Sequence, residues 1–155
     1  MGFSFIGLII TLSIFIVNLT VLFVPPKNIP PDLGGGSIFI TILERIGQAG
    51  CVIIPVLSKN AFADINLNIW AVLIIFCVLI YYALWIRYII GKGEFYLLFK
   101  PLLFIPVPMA IFPVLAFLLT AMLSTSVLLF IAVICLAVGH IANSLHTYKF
   151  LERFR

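Results

Sequence analysis

Read along the chain, hydrophobic positions fall into five long runs separated by short clusters of turn formers and charges. A helix needs about 20 apolar residues to cross the roughly 30 Å hydrocarbon core of a bilayer, and each run is that long. The first spans about residues 3–24, carries no charge, and stops at Pro25-Pro26-Lys27-Asn28-Ile29-Pro30-Pro31-Asp32, followed by Gly34-Gly35-Gly36. Proline lacks the amide that a continuing helix requires, so this stretch must end it. The second run, about 37–57, is the least apolar because Glu44, Arg45 and Gln48 lie inside it. The third, about 68–90, has Trp70 near one end and Tyr81, Tyr82 and Trp85 toward the other, a placement that resembles an interfacial aromatic belt. The fourth, about 102–123, contains Pro106, Pro108 and Pro113, and the fifth, about 126–147, follows after only Ser124 and Thr125. So short a connection makes the last two antiparallel neighbours.

The pattern predicts an all-α integral membrane protein, a compact bundle of five transmembrane helices forming one domain over residues 1–155. Composition agrees: 65% of the 155 residues are hydrophobic and 9% charged, against about 45–50% and about 25% in soluble domains. Charge then orients the bundle, because cytoplasmic loops are the richer in Lys and Arg. With five spans, one side holds Lys27, Arg87, Lys92, Lys100, Lys149, Arg153 and Arg155, and the other Lys59 alone. The N-terminus is therefore expected outside and the C-terminus in the cytoplasm, in a membrane expected to be a bacterial cytoplasmic membrane. Basic residues so scattered form no patch able to track phosphates, so nucleic acid is not expected as a partner. Cys51, Cys77 and Cys135 lie inside apolar runs without CxxC spacing and read as buried hydrophobes, and no metal site is expected.

The few polar residues at membrane depth carry whatever chemistry the chain has. An Arg or Asp at a helix centre costs about 2.5–3.5 kcal/mol on insertion scales. Counted from the cytoplasmic ends at ~1.5 Å per residue, Asn18, Glu44, Arg45, Gln48, Tyr81, His140 and Asn143 all fall in one layer, while the outer halves of the spans are nearly free of polar groups. On the second span, Ser37, Thr41, Glu44, Gln48 and Cys51 share a face, and Gly47 and Gly50 beside it let a neighbour approach closely. Glu44 and Arg45 diverge by about 100° around the helix, so they are expected to meet different partners. On the fifth span, His140, Asn143 and Thr147 share a face next to Gly139, which makes a pairing of Glu44 with His140 across helices available. On the fourth, Pro106 and Pro108 are expected to free the carbonyls of Leu102 and Phe104, and Pro113 that of Met109.

From this layer the expected function is a polar intramembrane cavity, open toward the cytoplasmic half, that binds or transports an amphipathic small molecule or lipid. Glu44, Arg45, Gln48, His140, Asn143, Asn18 and Tyr81 are the candidate ligand-binding residues. Two alternatives stand beside it. One is an accessory subunit whose polar residues only specify helix packing and which meets membrane lipid, a second copy or a membrane partner. The other is an intramembrane enzyme with Glu44 or His140 as general base, although no activated nucleophile, metal cluster or nucleotide motif accompanies them, and the sequence names no cofactor either way. No family motif is carried: the first loop lacks the tryptophan of the translocator protein family, whose size and span count are similar. Glu44-Arg45 in the second span and Arg87-Tyr88 followed by Gly91 after the third resemble only in part the glutathione-linked MAPEG pattern.

Overall fold

The computed structural model describes residues 2–31, 33, 36–62 and 68–153. Of the residues invoked above, Asp32, Gly34, Gly35 and Arg155 lie outside this set. The described chain is helical, with isolated bridges and no strand. We number the helices α1 (Phe5–Phe23), α2 (Ile38–Leu57), α3 (Ile69–Ile90), α4 (Pro108–Leu123) and α5 (Val127–Arg153). Four of them, α1, α2, α3 and α5, are long and apolar enough to cross a membrane.

Local chemistry sets the helix starts. Ser4 Oγ accepts from Gly7 N at 3.0 Å, Asn68 Oδ1 from Ala71 N at 3.1 Å, and Ser126 Oγ from Leu129 N at 3.3 Å. Each side chain satisfies an amide that has no partner within its own helix.

The fourth helix differs from expectation. It begins at Pro108, not near 102, and its 16 residues are about 24 Å long. Pro106 and Pro108 explain the late start: neither can donate, and proline at the first helical position loses nothing because that amide would be unpaired anyway. The carbonyl of Leu102 is not left free. It accepts from Ile105 N at 3.0 Å, and Leu102 N donates back to Ile105 O at 3.1 Å, closing a tight turn with Leu103 and Phe104 at its tip.

Short as it is, α4 is the centre of the bundle, with ten of its sixteen residues buried. It packs along α3 and against α5, and Phe117 meets Phe15 of α1 with ring centroids 6.0 Å apart. The other main contact is α2 against α5, where glycines bring backbones together. A Cβ at Gly47 would stand 2.6 Å from Leu136 Cα, one at Gly50 2.6 Å from Ala132 Cβ, and one at Gly139 2.5–2.6 Å from the N, Cβ and Cα of Glu44. Small residues do here what they do in membrane bundles generally, trading side-chain volume for close backbone packing.

Successive helices alternate in direction. At one end Lys27 N donates to Gly93 O (2.8 Å), Phe95 N to Lys27 O (3.0 Å), Asn28 Nδ2 to Glu94 Oε1 (2.7 Å) and Tyr96 Oη to Glu152 Oε1 (3.1 Å). Gly93 is required there: its φ is +81° and an added Cβ would lie 2.8 Å from the carbonyl oxygen of Pro25. At the other end Gly2 N reaches Leu57 O at 3.0 Å and Lys59 N reaches Gly2 O at 2.9 Å. The described basic residues other than Arg45 thus gather at the first end, with Lys59 at the second.

Candidate functional site

Between the helices, in the half of the bundle nearer the basic end, lies a partly open cavity of about 430 Å³. Its polar lining comes from Asn18 of α1, Arg45 and Gln48 of α2, Tyr81 of α3, and His140 and Ser144 of α5. Five of the seven residues singled out from sequence therefore meet on one space. The other two, Glu44 and Asn143, do not line it. Glu44 holds two residues that do, His140 and Gln48, and Asn143 in turn holds Glu44.

Glu44 is the hub of that arrangement. Its Oε1 lies 2.7 Å from His140 Nδ1 and accepts from Gln48 Nε2 at 3.4 Å, while Oε2 accepts from Asn143 Nδ2 at 2.6 Å. An ionised carboxylate has only acceptors, so its bond to His140 requires the hydrogen on Nδ1 and fixes the ring's orientation. Two donors from one helix turn of α5 clamp a carboxylate on α2, and the glycine between α5 and α2 lets them reach. Arg45 turns away from Glu44, donating Nη1 to Gln48 Oε1 at 3.0 Å. It makes no ion pair among the described residues.

Two lining residues sit where helix geometry departs from α. Asn18 falls in a 3₁₀ turn, Ile16–Leu19, within α1, and His140 in a π turn, Ala137–Ile141, within α5. Such departures are frequent at functional sites because they re-aim side chains that regular spacing would place elsewhere. Asn18 Oδ1 accepts a short hydrogen bond from the Tyr81 hydroxyl, which ties α1 to α3. Nearer the basic end the Tyr88 hydroxyl repeats the tie, donating to Val24 O at 2.9 Å.

The sequence reading needs one correction on α3. Tyr81 and Trp85 are not an interfacial belt; they are 4% and 5% exposed and face the bundle. Their rings meet edge to face at 6.3 Å, and Trp85 meets Tyr88 at 5.5 Å. The signal was available in the spacing of Ile74, Cys77, Tyr81, Trp85 and Tyr88, one helical face, all of them buried. Trp85 Nε1 is buried with no hydrogen bond among the described residues.

The apolar walls, which polar-residue reasoning passes over, are Ile14 and Phe15 of α1, Met109, Pro113 and Phe117 of α4, and Leu98 and Phe99 of the segment leading to α4. That last segment is pinned by Arg87, whose Nη2 donates to the carbonyls of Leu97 and Lys100, both at 3.0 Å, and Nη1 to that of Pro101 at 3.5 Å. Among the described residues no group of three His, Cys, Asp or Glu is placed to hold a metal. Cys51, Cys77 and Cys135 are free thiols.

Among the described residues the fold is all-helical, with four helices long and apolar enough to cross a membrane. Comparison with family models, with curated proteins and with solved structures gives no match.

Proposed function

We propose that the chain is a five-span membrane bundle, N-terminus outside and C-terminus cytoplasmic, that binds or transports an amphipathic small molecule or lipid through the cavity in its cytoplasmic half. A bacterial cytoplasmic membrane is the setting we assign. The observation that carries the reading is the convergence of Asn18, Arg45, Gln48, Tyr81 and His140, drawn from four helices, on one partly open space with aromatic and aliphatic walls. Small-molecule sites combine an apolar lining with a few oriented polar groups in volumes of roughly 300–1,000 Å³. Polar groups at this depth are costly, and lining a cavity is one of the ways they are retained.

The fifth span in this reading is α4. Its helical part is short of a full crossing by length alone, and the apolar turn at Leu102–Ile105 would complete the depth.

Native mass spectrometry of protein extracted in mild detergent tests the cavity. A retained amphiphile should appear on the wild type and be lost from Ala110→Leu and Ser144→Leu, which enlarge two side chains of the cavity lining, Ala110 on α4 and Ser144 on α5, while both variants keep a cooperative unfolding transition. Equal retention by the two variants would count against the cavity.

A second reading has its own support. The clamp of His140, Asn143 and Gln48 on Glu44 joins α2 to α5 and would serve equally in an accessory subunit whose polar groups only specify packing.

A further inference from the structure

We infer that the cavity takes the oxyanion head of a single-chain amphiphile, with Arg45 as its counter-charge. This rests on the cavity being a binding site and adds the chemistry of what it binds.

The polar capacity left over after the protein's own hydrogen bonds is mostly donor capacity, the exception being His140 Nε2, an acceptor while the ring is neutral with its hydrogen on Nδ1. Both ends of the Gln48 amide are engaged, with Arg45 and with Glu44. Asn18 spends its oxygen on Tyr81, so its remaining contribution is the Nδ2 donor. Ser144, one turn beyond His140, adds a hydroxyl. Arg45 is the cation of the lining, and only Nη1 of its guanidinium is engaged.

The obvious internal counter-ion is already occupied. Glu44 is adjacent in sequence, yet its two oxygens are taken by His140, Asn143 and Gln48, and no carboxylate lies within ion-pair distance of Arg45 among the described residues. An exposed guanidinium without a carboxylate partner among the described residues, held beside a cavity by a neighbouring amide, is arranged to receive an anion from outside the chain. Its planar fork matches carboxylate and phosphate oxygens. At about 430 Å³ the space lies in the lower part of the range for small-molecule sites. It suits one head and one chain lying along Phe15, Met109 and Phe117, not a two-chain lipid.

The test uses Trp85, which lines the cavity and is almost fully shielded from bulk lipid. Trp70 is the other tryptophan, so Trp70→Phe leaves Trp85 as the sole fluorophore. In nanodiscs of zwitterionic phosphatidylcholine, a brominated long-chain fatty acid and a brominated monoalkyl phosphate should each be tried as quenchers, with the methyl ester of the same acid as control. Saturable quenching by either oxyanion at concentrations about tenfold or more below the ester supports the inference, and the stronger of the two identifies the head as carboxylate or phosphate. Arg45→Gln should abolish that preference and Arg45→Lys should keep part of it. If the ester quenches as well as the acid, or Arg45→Gln keeps the preference, the oxyanion assignment is wrong while the cavity stands. If no quencher saturates and Ser144→Leu changes nothing, both the assignment and the binding cavity are wrong.

Discussion

His140 Nδ1 and Glu44 Oε1 lie 2.7 Å apart although 96 residues separate them in the chain. This contact joins α5 to α2 where Gly139 lets the helices approach closely. It fixes the cavity-lining ring of His140, so the packing of the bundle and the shape of the cavity depend on the same pair.

The pair should show energetic coupling. Interhelical hydrogen bonds in membrane proteins average about 0.6 kcal/mol and reach about 1.7, and a charge-assisted bond to a partly shielded carboxylate belongs in the upper part of that range. A double-mutant cycle of Glu44→Gln and His140→Ala, followed by unfolding in detergent, is expected to give a coupling of about 1 kcal/mol. Additive effects would mean the two side chains are neighbours without an interaction.

Gly139→Ala is expected to destabilise by about 1–3 kcal/mol, the usual cost of overpacking. The new Cβ would press on the backbone of Glu44, and backbone cannot rotate away as a side chain can. Gly50→Ala, whose Cβ would meet the Cβ of Ala132, should cost less. Thermal unfolding of the two variants checks the ranking, and a Gly139→Ala protein as stable as wild type would show that α2 and α5 are not packed as described.

Arg87 holds three carbonyls of the segment before α4. Arg87→Gln should loosen that segment without unfolding the helices. Hydrogen exchange at Phe99 and Lys100, whose amides donate to Tyr96 O, is expected to rise about tenfold or more, which corresponds to roughly 1.4 kcal/mol of lost local stability. Unchanged exchange at those two amides would remove Arg87 as the element that pins the cavity's Leu98 and Phe99.

Much of this arrangement was legible in the residues. The face of Ser37, Thr41, Glu44, Gln48 and Cys51 with its neighbouring glycines announced a close helix contact, and the divergence of Glu44 from Arg45 announced different partners. Both follow from the 3.6-residue period, which is a local property. What sequence did not disclose depends on tertiary context. The late start of α4 was obscured because an apolar run reads the same whether helical or turned, although Pro106 and Pro108 held the information. The burial of Trp85 was missed because an amphipathic aromatic suits an interface and a core alike. The 3₁₀ turn at Asn18 and the π turn at His140 leave no period of their own, and the walls from Phe15, Met109 and Phe117 are ordinary apolar residues until five helices bring them together.

Topology is open to a direct check. Single cysteines placed at Lys59 and at Lys149, in a background with Cys51, Cys77 and Cys135 replaced, should react oppositely with an impermeant maleimide applied outside intact cells. The five-span account expects labelling at position 59 and none at 149 until the membrane is permeabilised. Equal labelling at both positions would require an even number of crossings between them and would overturn the account of α4 and α5.

The cavity as a binding site, as distinct from a packing device, is tested most directly by substituting Glu44→Gln, Arg45→Gln and His140→Ala one at a time and measuring folded yield beside the amphiphile retained through purification. The account predicts that Arg45→Gln folds to near wild-type yield yet loses the retained molecule, because Arg45 lines the cavity and makes a single protein hydrogen bond, whereas Glu44→Gln loses stability first. If Ser144→Leu as well as Arg45→Gln retains the molecule in full, or if all three substitutions collapse the fold alike, the cavity is not the binding site and the polar layer holds helices together and nothing else.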